Sequence, residues 1–143
     1  MTAPRIEKYM TWPPHTIDRD KTLHEAHLLM RRHRIRHLPV LEGGRLVGVL
    51  SLGDLHLIET LSDVNPLEVQ VGEAMTADPY QVSPEAPLDA VADAMAERHI
   101  GSAIVVDRGH VVGIFTAIDA LRVLAEMLRD RLSRSGHFEA AGG

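Results

Sequence analysis

A repetition constrains this chain more than any other feature. Gly48-Val49-Leu50-Ser51-Leu52-Gly53-Asp54 returns sixty-five residues later as Gly113-Ile114-Phe115-Thr116-Ala117-Ile118-Asp119: glycine, two apolar residues, a hydroxyl, two spacers, an aspartate. Sliding the sequence by that offset aligns 10–54 with 75–119 without a gap, and 11 of the 45 pairs are identical, where roughly 3 would arise by chance. Among the identities are Met10/Met75, Thr11/Thr76, Gly48/Gly113 and Asp54/Asp119. The chain is a tandem duplication. Units of about 55 residues bury too little surface to stand apart, so the two copies should pack on one another.

Each copy opens on an apolar anchor, Ile6-x-x-x-Met10-Thr11 or Val71-x-x-x-Met75-Thr76, which reads as part of the repeat it precedes. In the first copy His15-Thr16-Ile17 reads as a very short strand, and Thr22-x-x-Glu25 has the spacing of a capping box at a helix start. Leu23, Ala26, Leu29 and Met30 then share one helical face. Two apolar strands, Leu38–Leu41 and Leu46–Leu50, flank the tight turn Glu42-Gly43-Gly44. Their continuous apolar runs predict cover on both faces. Pro39 lacks an N–H for a ladder, which predicts an edge strand or a break. A helix from Asp54 to about Leu61 follows.

The second copy repeats this order: Gln81-Val82, a helix from Pro87 with Leu88, Val91 and Met95 inward, Ala103–Val106, a turn at Asp107-Arg108-Gly109, Val111–Phe115, and a helix from Ile118 to about Arg131. The predicted fold is α/β, two β-α-β-β-α repeats over 6–61 and 71–131, a linker at 62–70 and a mobile tail over 132–143. On the last helix Leu121, Val123, Leu124, Met127 and Leu128 form an apolar arc wider than one repeat needs, which predicts a surface for another chain.

Composition narrows the function classes. The chain has no cysteine, which removes disulfides and thiolate chemistry. A net charge of −5, with two Phe, two Tyr and one Trp in all, gives neither a positive field nor stacking surface for nucleic acid, despite the basic run from Arg31 to Arg36. That run closes a helix, where cations complement the dipole. No apolar stretch approaches the roughly 18 residues of a membrane span, and none reads as a signal peptide, so a cytoplasmic protein without membrane attachment is expected. His24/His27 and His33/His37 have helical ligand spacing, yet no clustered carboxylate completes a metal set. Gly48-x-x-Ser51-x-Gly53 misses the nucleophile elbow by one position, and no spaced His and acid accompany it in both copies, so neither catalysis nor an obligatory cofactor is expected.

The duplicated hydroxyl-and-aspartate pair has two readings. An aspartate opening a helix is commonly a cap, and a carboxylate there can also accept two hydrogen bonds from a vicinal diol while the dipole keeps it ionised.

Met-Thr then Pro, the Leu-Pro-Val strand, Gly-Gly-Arg-Leu-Val-Gly-Val-Leu and the terminal Ser/Thr-x-x-Asp, in two copies in register, resemble cystathionine β-synthase (CBS) domains. From about residue 6 to 131 the chain resembles a stand-alone CBS pair, or Bateman module. The resemblance implies a regulatory sensor with two clefts between the repeats, each taking an adenosyl ligand: AMP, ADP, ATP or S-adenosylmethionine. Carried over by position, Asp54 and Asp119 would hold ribose hydroxyls, and Ser51 and Thr116 would touch ribose or phosphate. Asp119 would face Thr16, Ile17, His37, Leu38 and Pro39; Asp54 would face Gln81, Val82, Ser102, Ala103 and Ile104.

Arg36 and His37 match phosphate-binding positions, whereas their counterparts Gly101 and Ser102 carry no charge. The Asp119 cleft is therefore expected to favour a phosphorylated nucleotide, and the Asp54 cleft a weaker or less charged ligand. A homodimer and a regulated protein are the expected partners. The alternatives are an oligomerisation or interaction scaffold with empty clefts, and a nucleic-acid-associated regulator using the Arg31–Arg36 patch.

Overall fold

The elements follow the duplication in a computed structural model that describes residues 3–134. After one 3₁₀ turn, Ile6–Lys8, the first copy runs β1 (Ile17–Asp18), α1 (Leu23–His33), β2 (His37–Glu42), β3 (Arg45–Ser51) and α2 (Leu52–Glu59). A short helix α3 (Val71–Ala74) and β4 (Thr76–Ala77) lead into β5 (Gln81–Val82), α4 (Leu88–Arg98), β6 (Ser102–Asp107), β7 (His110–Thr116) and α5 (Ala117–Arg134). The fold is mixed α/β, with sheets ordered β1-β2-β3-β4 and β5-β6-β7.

Local chemistry accounts for the element ends. Gly43 and Gly44 stand at φ 58° and 80°, and Arg108 and Gly109 at 53° and 81°. Two successive positive φ values make the two-residue turn that matches strand twist. Thr22 caps α1 by accepting the Glu25 N–H at 3.2 Å. Helix α2 starts at Leu52 rather than Asp54, because Ser51 is its N-cap, and Pro87 stands at the N-cap position just outside α4 without a capping side-chain bond. Helix α5 continues past the expected end to include Leu132, Ser133 and Arg134, with no proline or glycine before Gly136 to stop it. The rest of the expected tail, 135–143, lies outside the described residues.

Pro39 does not put its strand at an edge: β2 lies between β1 and β3. Its counterpart Ile104 shows how the proline is accommodated. Ile104 donates its N–H to the Tyr80 carbonyl at 2.9 Å and pairs with Gln81. Pro39 has no N–H to give, and β1 instead joins the ladder one residue on, at Ile17 and Val40.

The anchors are exchanged between the copies. Ile6 is fully buried among Leu88, Val91, Met95, Phe115 and Val123 of the second copy, and Val71 among Leu23, Met30, Leu50 and Leu55 of the first. Backbone bonds repeat the exchange in register: the Ile6 N–H donates to the Ala86 carbonyl at 2.8 Å, and the Val71 N–H to the Lys21 carbonyl at 2.7 Å. Thr11 bridges Ile114 as Thr76 pairs with Val49. A sequence unit is thus not a packing unit. The exchange also explains two of the identities, Met10/Met75 and Gly48/Gly113. An added Cβ at Gly48 would sit 2.5 Å from Met75 Sδ, and one at Gly113 would sit 2.9 Å from Met10 Cγ, so each methionine lies over a glycine of the other copy.

The cleft at Asp119

The site is assembled where β7 runs into α5. The Thr116 N–H donates to Asp119 Oδ2 at 2.9 Å, the Thr116 hydroxyl to the same oxygen at 3.2 Å, and the Asp119 N–H to Thr116 Oγ1 at 3.4 Å. The exchanged anchor adds Thr11, whose hydroxyl lies 3.2 Å from Asp119 Oδ1 and 3.3 Å from Oδ2. Arg122, one turn along α5, stands 4.0 Å from Oδ1. The aspartate is 8% exposed, yet a carboxylate offers about four acceptor positions, and these contacts leave room for an incoming donor.

A cleft of about 550 Å³ opens over this carboxylate, within the roughly 300–1,000 Å³ usual for small-molecule sites. Thr11 and His15 line it from the chain before β1, and His33 through His37 from the α1–β2 turn. Ile114, Thr116 to Asp119 and Arg122 complete it from the second copy. Arg34, at φ 54°, makes the left-handed turn that ends α1 and turns the chain toward Ile35–His37.

Asp54 stands in the same local frame. Its Oδ2 accepts the Ser51 N–H at 3.2 Å, and Ser51 Oγ accepts the Asp54 N–H at 3.1 Å. In both copies, then, the hydroxyl-acid pair caps a helix, and at Asp119 it also faces a cleft. His37 connects the two sides. It lines the Asp119 cleft, and a Cβ added at Gly101 would come within 2.8 Å of its Nε2, so the ring fills space that a side chain at 101 would need. Burial holds His37 below the ordinary imidazole value; the Asp54 charge acts upward against it and Arg36 adds to the lowering.

Of the residues expected around Asp119, the cleft brings together Arg36, His37 and Thr116. Ile17 and Leu38 are in the first core, Pro39 is buried, and Thr16 precedes β1; none of these four lines the cleft. On the Asp54 side Ala103 and Ile104 are fully buried and Ser102 is buried, while Val82 is half-buried and Gln81 exposed. Sequence reasoning missed Thr11, His15, His33, Arg34, Ile35, Ile114, Ala117, Ile118 and Arg122. The Thr11/Thr76 identity and the i, i+3 spacing of Asp119 and Arg122 were available signals. Among the described residues no group of three or more His, Asp or Glu side chains is placed to hold a metal ion, and no helix is long and apolar enough to cross a membrane.

Two duplicated halves around a cleft of carboxylate, hydroxyls and cations define a paired-repeat module with a cleft of small-molecule size. Residues 6–57 and 71–126 match the CBS domain, and the chain belongs to the CBS-domain family. It is 33% identical over 116 residues to inosine-5'-monophosphate dehydrogenase of Korarchaeum cryptofilum; that match takes in 80% of this chain and 23% of the dehydrogenase. The CBS domain pair of protein MJ0100, solved with 5'-methylthioadenosine and S-adenosyl-L-methionine, superimposes with TM-score 0.80 at 27% identity, over 87% of this chain and 98% of that one. CBSX2 in complex with AMP gives TM-score 0.75 at 25% identity, over 86% and 97%.

Proposed function

We propose that this protein is a regulatory sensor module, not an enzyme, which binds an adenosyl ligand in the Asp119 cleft. What carries the reading is the Asp119 carboxylate, held by Thr116 and Thr11 at the edge of a cleft that also contains Arg36. A ribose diol would donate to the carboxylate and a phosphate would meet the arginine. That relatives were solved with AMP, S-adenosylmethionine and methylthioadenosine supports the adenosyl class. Occupancy would be read by a regulated protein.

The test is thermal unfolding with AMP, ADP, ATP, S-adenosylmethionine and methylthioadenosine. A ligand at about a hundred times its Kd adds about 2.7 kcal/mol, which raises Tm by roughly 5–10 °C for a chain of this size. No shift with any of them would leave the interaction-scaffold reading.

Helix α5 favours a second element of that function, self-association. Its Ile118, Leu121, Leu124, Met127, Leu128 and Leu132 are each between 43% and 59% exposed. A second copy burying them would remove several large side chains from water at about 1.5–3 kcal/mol each if fully covered. Sedimentation of the native chain should give a dimer, and Leu124→Glu with Leu128→Glu a monomer; a native monomer at tens of micromolar would refute this.

A further inference from the structure

The cleft holds more positive charge than one ribose and one phosphate use. Arg34, Arg36 and Arg122 face it against Asp119, a surplus of two positive charges among the described lining residues before any histidine is counted. With Arg36 at the first phosphate and Arg122 beside Asp119, Arg34 is left over, next to two histidines. Those histidines, His15 and His33, stack with ring centroids 3.7 Å apart and planes 18° from parallel, and both are exposed.

The duplication shows what is particular to this pair. Sixty-five residues on, the same two positions hold Tyr80 and Arg98, with the guanidinium 4.7 Å from the ring centroid. In both copies a stack ties the end of the long helix to the chain entering the first strand. In the second copy the clamp has a fixed charge; in the first it can take up protons. Two protonated imidazoles at this separation repel, and an anion beside them removes the repulsion.

We propose that His15, His33 and Arg34 form an anion subsite beyond the first phosphate, which takes the terminal phosphates of a nucleoside di- or triphosphate. This rests on the adenosyl reading of the same cleft. The groups facing the pair are Arg32 from the end of α1, Arg34 and Arg36 from the turn that follows it, His37 from the start of β2, and Asp119 and Arg122 from α5. Loss of hydration, then the His15 and Arg32 charges, hold His33 below the ordinary imidazole value. A terminal phosphate raises that value. Binding then takes up a proton between the lowered free value and the raised bound one, and affinity grows as pH falls through that window. AMP ends short of the pair and lacks this effect. A cationic sulfonium ligand is disfavoured by the surplus charge at every pH.

Calorimetry of AMP and ATP without divalent metal, at about pH 6 and about pH 8, tests this. The ATP-over-AMP preference of the native protein should be about tenfold larger at the lower pH, with proton uptake visible as a buffer-dependent heat. In His15→Gln/His33→Gln, which changes two exposed side chains, the preference should lose most of that pH dependence. Comparing variant with native at each pH cancels titration of the phosphates themselves. A native preference that is the same at both pH values, or a pH dependence as large in the double variant as in the native protein, overturns the subsite while AMP binding leaves the adenosyl reading standing. If neither nucleotide binds at either pH, both fall together.

Discussion

Replacing Asp119 by alanine should weaken the adenosyl ligand by about tenfold to a hundredfold, because removing a charged acceptor from bound hydroxyls costs roughly 1.5–3 kcal/mol. The same change also removes a helix cap: Asp119 accepts the Thr116 N–H at 2.9 Å, and losing such a contact costs about 0.5–2 kcal/mol of stability. Two variants separate the effects. Asp119→Asn keeps a side-chain oxygen for the cap but gives up the charge, so stability should be largely retained while affinity falls. Asp54→Ala removes the equivalent capping contact to Ser51, seen at 3.2 Å, so it should lower stability to a similar degree and affinity less. Isothermal titration gives the affinities and urea unfolding the stabilities. Equal affinity losses for Asp54→Ala and Asp119→Ala would refute the assignment of Asp119 to the principal cleft.

The second large effect is expected near the N-terminus. Ile6 is fully buried in the core of the second copy, so Ile6→Ala should cost about 2–5 kcal/mol, a loss usual for a central core residue. Val71→Ala should act likewise on the first copy, again from a fully buried position, though with fewer atoms removed. Gly113→Ala should cost about 1–3 kcal/mol by forcing Met10 from its seat, and Met10→Ala should recover part of that loss in the double variant, as contacting pairs do. The denaturation midpoint with an unchanged slope is the measurement. A cost for Ile6→Ala below about 0.5 kcal/mol, the range of exposed positions, would mean that the anchor is not seated in the second core.

These two expectations differ in how much of each could be read from the chain. The carboxylates at 54 and 119 were legible because they recur with a hydroxyl three residues before, and because a helix start is specified within a few residues. The seat of Ile6 was not legible. Periodicity shows that Ile6 and Val71 are equivalent, but equivalence under a twofold relation is kept whether each anchor packs on its own copy or on the other. Pro39 failed for a related reason: a missing N–H forbids one ladder bond, and only the neighbouring strand's length decides whether that bond was needed. Four of the residues expected at the Asp119 cleft do not line it: Ile17 and Leu38 are packed in the first core, Pro39 is buried and Thr16 precedes β1, and the resemblance carried positions without side-chain direction.

By itself the sequence determined what is set by contacts close along the chain. These are the duplication, the two-residue glycine turns, the helix caps, the apolar faces of α1 and α4, and through them the fold class. The tertiary structure decided what depends on contacts far apart in sequence: the exchange of anchors, the meeting of Thr11 with Asp119 across 108 residues, and the stacking of His15 on His33 beside Arg34. The physical reason is that turn and helix signals arise from backbone sterics and hydrogen bonds within one or two turns of chain. A cleft between two halves is fixed only when both cores have formed and their surfaces meet.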